Sequence, residues 1–161
     1  RRELRIRDGS RHYQIDMRLE KLDKIFIKEL HVWSIPLLRF SLGIVFFWFG
    51  LLKIFGVTPV TELILKTYSF FPEPAFILIL GVWEALIGIG LFFKVSLRLT
   101  LILLWLQMLG TLTAPLLYPS MFFTNMNPLL LTTEGEFVIK NLVLIAASLV
   151  IGGYEIKKRE K

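Results

Sequence analysis

The feature that most constrains this chain is a series of apolar runs, each about 20 residues long, which is the length that a helix needs to cross a bilayer. Charged residues are concentrated in the two ends of the chain and are sparse between them. We therefore predict an all-α fold, a transmembrane four-helix bundle with an amphipathic interfacial helix before it. The predicted spans are residues 35–55, 75–93, 97–117 and 137–153, between a charged segment, residues 1–34, and a basic tail, residues 154–161.

The interfacial helix is predicted for residues Met17–Trp33. Its apolar residues recur at helical spacing beside lysines, a pattern typical of a helix that lies among lipid headgroups. Packing against a partner or against the base of the bundle remains an open alternative. The chain does not begin with Met, so Met17 could be the natural start and residues 1–16 an upstream extension; the first span itself is expected to direct insertion. The apolar positions are Leu19, Leu22, Phe26, Leu30 and Trp33.

The distribution of basic residues predicts the orientation of the chain. Of the 19 Lys and Arg residues, nine precede the first predicted span and four follow Tyr154, and Lys94 and Arg98 flank the turn after the second span. The loops on the other side hold only Lys66. Because cytoplasmic loops are enriched in Lys and Arg, both termini are predicted to be cytoplasmic. Basic residues on the cytoplasmic flanks of the spans also explain the net charge of +6. We therefore expect no nucleic acid partner.

Several kinds of chemistry are unexpected in this chain. It contains no cysteine, which excludes thiol redox chemistry and thiolate metal ligation by the chain acting alone. Its two histidines, His12 and His31, both precede the first span, so we predict no metal or haem site in the bundle. No catalytic or nucleotide-binding motif is present, and an oxidoreductase activity would need a borrowed cofactor.

The two longer loops are expected to cap the mouth of the bundle on the side away from the termini. In the first loop, Thr58 and Pro59 resemble a helix start, and the apolar residues that follow predict a short helix on the outer leaflet. The second loop is bounded by Pro119 and Pro128 and is rich in apolar residues that would be poorly placed in water.

Glu84 is the most unusual residue of the predicted spans. A charge at mid-bilayer costs about 2.5 to 3.5 kcal/mol on insertion scales and usually has a partner inside the bundle. Glu84 lies about 13 Å into the second span by helix rise, and Gln107 falls at a similar depth in the third. We predict a buried polar cluster that either binds a ligand or only joins helices, at about 0.6 kcal/mol per bond. Its candidate ligand-binding members are Lys53, Glu84, Gln107, Thr111, Lys140 and Asn141.

Other polar and small residues are predicted to serve structure. Arg39 lies near a span end, and its long side chain is expected to snorkel to the interface; for Lys53 the inward orientation is slightly favoured over snorkelling. Thr133 and Glu136 fit a capping box at the start of the fourth span, and Glu136 also precedes Lys140 by one turn. Glycines repeated at seven residues predict close helix packing, namely Gly43, Gly50, Gly81 and Gly88.

Three stretches together resemble the DoxX-like family of small four-span membrane proteins. They are "RFSLGIVFFWFGLLKIFG", "GVWEALIGIGL" and "TTEGEFVIKNLVLIAASLVIGG", and the resemblance covers about residues 35–153. The positions that match the family's pattern are Arg39, Gly50, Lys53, Glu84, Glu134, Gly135, Phe137, Lys140 and Asn141.

The resemblance implies a bacterial or archaeal cytoplasmic membrane protein linked to oxidative stress and to sulfur or quinone redox partners. The absence of cysteine departs from the thiol-dependent branch of the family. One hypothesis is a bundle that binds a quinone or another apolar ligand with a polar head. A second is an assembly or accessory subunit, whose partners would be the lipid membrane and subunits of a redox complex. A transporter is disfavoured, because no repeat or broken helix is evident, unless the chain forms a homo-oligomer.

Overall fold

The computed structural model describes residues 2–72 and 74–159, with side chains from residue 17 to residue 156 apart from residues 18 and 73. Within this range the regular elements are helices, no β-strand is formed, and four helices are long and apolar enough to cross a membrane. The predicted all-α class is confirmed. The predicted upstream extension, residues 1–16, and most of the predicted basic tail have their side chains outside the described range.

Seven α-helices make up the described chain, and a short 3-10 turn lies in the second long loop, at Thr124–Met126. The helices are α1 Arg2–Ile54, α2 Thr61–Thr67, α3 Ala75–Phe93, α4 Leu97–Leu117, α5 Pro119–Phe122, α6 Thr133–Ile139 and α7 Asn141–Arg159.

The middle two spans begin and end where the sequence predicts them, as α3 and α4. The helices that contain the first and fourth predicted spans have bounds that differ from the predicted ones. The first span is the final part of α1, whose bounds are Arg2–Ile54. The fourth begins at Thr133 and is divided at Lys140, where the amide of Val143 bonds to the Lys140 carbonyl at 3.0 Å, a tighter turn than an α-helix makes. The helical segment that contains the fourth predicted span, residues 137–153, therefore extends beyond it at both ends.

The chain divides into two compact units, one up to Leu37 and one from Leu38 onward. In the first unit the predicted helix over Met17–Trp33 forms as part of α1, and Trp33 Nε1 donates a hydrogen bond to the Glu29 carboxylate at 3.2 Å. The apolar stripe of this helix is more than half exposed at each position, namely Leu19, Leu22, Phe26, Leu30 and Trp33.

In the second unit, α1 and α3 approach each other closely at glycines. A Cβ atom added to Gly50 would lie 2.6 Å from the carbonyl oxygen of Gly81, and one added to Gly88 would lie 2.6 Å from the backbone nitrogen of Phe47. Gly43 is less crowded, since its nearest neighbour is the Phe92 ring at 3.2 Å. Backbone contact of this kind is how small residues bring membrane helices together.

The apolar core of the bundle lies where α3, α4 and α7 meet, with two side chains from α1. Its members are almost fully enclosed, which gives them the dense packing of a protein interior. Core residues with at most 5% exposure include Leu42, Phe46, Ile87, Leu91, Leu101, Leu104 and Ile151.

The outward faces of the same helices are also apolar. Leu86 on α3, Leu99 on α4 and Val143 on α7 are each more than half exposed. Helices that are apolar all round belong in surroundings that are themselves apolar. These faces suit lipid, which agrees with four helices able to span a membrane.

The second long loop is folded against the start of α6. Phe122 is fully buried, and the hydroxyl of Thr132 donates to the carbonyl of Met121 at 2.7 Å. The same hydroxyl caps α6 by accepting a hydrogen bond from the amide of Gly135 at 3.1 Å. The predicted capping box of Thr133 and Glu136 is therefore wrong by one residue, because Thr132 is the residue with extended backbone that places its oxygen over the first turn.

Replacing Gly50 with Ala tests the close approach of α1 and α3. The new methyl group would meet backbone atoms that cannot move independently, so we expect a loss of about 1 to 3 kcal/mol in the free energy of unfolding. Gly153→Ala is the matched control, since no described atom outside its own helix backbone and its chain neighbours lies within 4 Å of an added Cβ there. The control should be neutral or slightly stabilising. Thermal unfolding in detergent measures both, and equal midpoints for the two variants would contradict the contact.

Candidate functional site

A buried ion pair joins the last turn of α1 to the middle of α3. Lys53 Nζ lies 2.6 Å from Glu84 Oε2, and both side chains are at most one tenth exposed. The lysine can lie flat against α3 because the facing residue is Gly81, where an added Cβ would come within 2.8 Å of Lys53 Cβ. The acid at mid-span therefore has the partner that such a charge requires.

Gln107 of α4 holds the second oxygen of the same carboxyl group. Its Nε2 donates to Glu84 Oε1 at 2.9 Å, and Gln107 is 9% exposed. Lys53 Nζ also lies 6.0 Å from the centre of the Phe49 ring, at the limit of a cation–π contact. One oxygen of the carboxylate is bonded to an amine from α1 and the other to an amide from α4, which compensates part of the cost of burying the group.

Thr111 and Asn141 lie in the same region but do not contact Glu84. The hydroxyl of Thr111 donates to the carbonyl of Gln107 at 2.8 Å, within its own helix. Asn141 is the first residue of α7 and is 7% exposed. Its amide forms no side-chain hydrogen bond to any residue of the described chain, although the residue lines the cavity described below.

Lys140 does not join the cluster. Its side chain is 73% exposed, and its Nζ lies 3.6 Å from Glu136 Oε2, one helical turn earlier. The expectation that its amine meets Glu84 is wrong. Both oxygens of Glu84 are already engaged, so a second amine turned into the bundle would lose its water without gaining an acid. The i,i+4 pairing of Glu136 with Lys140 is present as the spacing indicates.

A cavity of about 380 Å³ lies beside the ion pair, a volume within the usual range of small-molecule sites. Residues of six helices line it, from α1, α2, α3, α4, α6 and α7, and most are apolar or aromatic. The polar side chains in the lining include five of the six predicted candidates, namely Lys53, Glu84, Gln107, Thr111 and Asn141.

The first long loop forms one wall of this cavity. Leu63 and Ile64 of α2 line it, and the hydroxyl of Tyr68 donates to the carbonyl of Gly110 at 2.6 Å, which ties the loop to α4. The short helix predicted from Thr58 is present but begins at Thr61. The apolar side of α2 therefore faces the cavity. Sequence periodicity could place these residues on a helix, but it could not show that the loop is tied to α4.

A second polar cluster lies at the opposite end of the bundle. Arg39 donates to the carbonyl oxygens of Leu91 and Phe92, the latter at 2.9 Å, and its Nε lies 3.7 Å from Glu155 Oε1. Lys94 donates to both oxygens of Glu155, at 2.7 and 2.8 Å. The predicted snorkelling of Arg39 is wrong: the side chain is only 11% exposed, because the free carbonyls ending α3 and an acid on α7 solvate it inside the protein.

Glu155 is the member of this cluster that sequence reasoning missed. The sequence analysis assigned it to the basic tail, whereas it is buried in α7. A signal was available, since Glu155 is the only acidic residue between Phe137 and Arg159. A single acid near the same end of the bundle as Arg39 could have been paired with that arginine.

Comparison with known proteins adds no further identification. No family model, curated protein or solved structure matches the chain. The resemblance to DoxX-like proteins therefore stays a prediction. Among the residues that the structure describes, no group of three or more His, Cys, Asp or Glu side chains is placed to hold a metal ion.

A double-mutant cycle on Lys53 and Glu84 tests the buried ion pair. Lys53→Met and Glu84→Leu should each lower the free energy of unfolding by about 3 to 5 kcal/mol, since each leaves a buried charge alone. The double variant should recover most of that loss, because two apolar side chains fill a similar space. Lys140→Met, which breaks an exposed pair, is the control and should cost about 0 to 1 kcal/mol. Additive losses in the double variant would show that the two side chains do not interact.

Proposed function

We propose that this protein is a multi-pass protein of a bacterial or archaeal cytoplasmic membrane with both termini on the cytoplasmic side. The support is the number and spacing of the apolar helices together with the charge distribution. Four spans place both ends on one side, and Lys and Arg are abundant at those ends and sparse in the two long loops. The cavity would then open toward the outer half of the membrane, and the Arg39 cluster would lie in the inner half.

The bundle is proposed to bind an apolar molecule with a polar head group inside this cavity. The observation that carries the proposal is the position of the Lys53–Glu84 pair and Gln107 in the wall of an otherwise apolar chamber. An apolar pocket with a few convergent polar groups is the usual form of a small-molecule site. Polar contacts that only joined helices would not need a chamber of about 380 Å³ beside them.

A quinone is the ligand that this lining suits best. Its planar ring could stack on aromatic side chains, its oxygens could meet the polar wall, and its tail could extend along aliphatic residues. Aromatic residues in the lining include Phe46, Phe49, Phe76 and Trp83. Together with the resemblance to DoxX-like proteins, this supports a small membrane subunit that handles a quinone for a redox or oxidative-stress process, with electron transfer carried by a partner.

Filling the cavity should abolish binding. Leu80 lines the cavity, and Leu78 on the same helix is 49% exposed and lies outside the lining. We expect a decyl-substituted benzoquinone to stabilise the wild type and Leu78→Trp, by about 2.7 kcal/mol at one hundred times the dissociation constant, and to leave Leu80→Trp unchanged. Thermal unfolding in detergent measures the effect. A quinone that stabilises neither the wild type nor Leu78→Trp would refute the proposal.

An accessory subunit without its own ligand is the second candidate. The exposed apolar stripe of α1 favours it, because large exposed apolar patches often mark contacts with other proteins or with lipid. If a protein partner binds this stripe, Phe26→Glu should lose a stoichiometric partner on purification in mild detergent. Lys28→Glu, one half-turn away, is the control and should keep it. Recovery of the same partner with both variants, or of none with the wild type, would count against this candidate.

A further inference from the structure

The charges that line the cavity cancel. Among the described residues that line it, Lys53 and Glu84 are the only ones with charged side chains, and they are paired with each other at 2.6 Å. The remaining lining residues are apolar, aromatic or neutral and polar. The site as built therefore has no unbalanced charge to offer a ligand.

A charged head group would disturb this balance. A carboxylate placed here would compete with Glu84 for Lys53 and leave two acids sharing one amine away from water. A cation would either lie beside Lys53 or displace it from Glu84. Each arrangement leaves a buried charge without its own partner, which is strongly unfavourable. A neutral head group leaves the pair as it is.

Asn141 supplies an unused hydrogen-bonding group in the same lining. The other neutral polar side chains are mostly satisfied by the protein, since Trp83, Tyr68 and Thr111 each donate to a backbone carbonyl. Asn141 is 93% enclosed, and its side-chain amide bonds to no described residue. The side-chain hydroxyl of Thr58, which is also buried and lines the cavity, likewise bonds to no described residue. Buried polar groups normally have a partner. An amide left open toward a cavity is therefore available to a ligand.

We propose that the cavity selects a ligand with an electrically neutral head group, and that the side-chain amide of Asn141 binds a carbonyl or hydroxyl oxygen of that group. This inference rests on the proposed function and names its ligand class. The amide can donate to a carbonyl or accept from a hydroxyl, so it fits both forms of a quinone and also a long-chain alcohol. Fatty acids and long-chain amines are excluded.

Three probes with the same dodecyl chain and different head groups separate the effect of head-group charge on binding from the effect of hydrophobicity. Dodecanol, dodecanoate and dodecylammonium are compared with a decyl-substituted benzoquinone by thermal shift, and only the part of each shift that Leu80→Trp removes is counted as cavity binding. We expect the neutral probes to bind at least about tenfold more tightly than either charged probe. Tighter binding of the benzoquinone than of dodecanol identifies a quinone-type ring as the preferred head, and equal binding identifies an aliphatic hydroxyl as sufficient.

The role of Asn141 is tested with Asn141→Leu, which has a similar size and no amide. Its affinity for the neutral probes should fall about tenfold, the value of one lost hydrogen bond in an apolar site. Thr113→Val is the control and should bind as the wild type does, because Thr113 is exposed, lies outside the lining and its hydroxyl donates to the carbonyl of Gly110 in its own helix at 2.6 Å. If Asn141→Leu is too unstable to measure, Asn141→Thr replaces it in the experiment. This variant keeps a polar group and should therefore lose less affinity.

Two results would overturn this inference while leaving the proposed function intact. One is a charged dodecyl probe that binds as tightly as dodecanol with the same sensitivity to Leu80→Trp. The other is an Asn141→Leu variant that is folded and binds the neutral probes as the wild type does. If no probe gives a shift that Leu80→Trp removes, the cavity is not a ligand site and both proposals fail.

Discussion

The carboxylate of Glu84, held between an amine from α1 and an amide from α4, is the interaction on which the arrangement of this bundle depends. It fixes the rotation of three helices at once, because Lys53 and Gln107 must both point at the same residue of α3. The glycine at position 81 makes the contact sterically feasible by letting α1 lie against α3. Without these partners, Glu84 would be an isolated charge in an apolar core, at a cost of several kcal/mol.

The two ends of the bundle solve the problem of buried charge in different ways. At one end the opposite charges of Lys53 and Glu84 cancel, and this neutral pair forms part of the wall of a cavity. At the other end two basic side chains, Arg39 and Lys94, share Glu155, and the arginine also bonds to the last carbonyls of α3. The contacts of that cluster are those of a helix cap, since Arg39 donates to the carbonyls that end α3. The first end is therefore the candidate site, and the second secures the packing of α1, α3 and α7.

Depth along a helix can be read from the sequence, whereas rotation about the helix axis cannot. Counting residues placed Glu84 near mid-span and grouped it with Lys53 and Gln107, which the structure shows as its partners. The same count admitted Lys140, which lies at a suitable depth but on the exposed side of the junction between α6 and α7. Arg39 was expected to reach water because it lies near a span end; its actual partner, Glu155, belongs to a stretch read as tail. Hydropathy does not predict which of several basic residues pairs with a given acid, because that choice depends on tertiary contacts.

The distance between the Lys53 amine and the Glu84 carboxyl in a lipid bilayer tests the account most directly. Solid-state NMR on protein labelled with ¹⁵N-lysine and ¹³C-glutamate detects each short contact between an amine nitrogen and a carboxyl carbon. Among the Lys–Glu contacts of the structure, the contact between Lys53 and Glu84 should disappear in Lys53→Met and persist in Lys140→Met. Spectra in which Lys53→Met retains every contact of the wild type would contradict the ion pair, and with it the polar wall of the proposed ligand site.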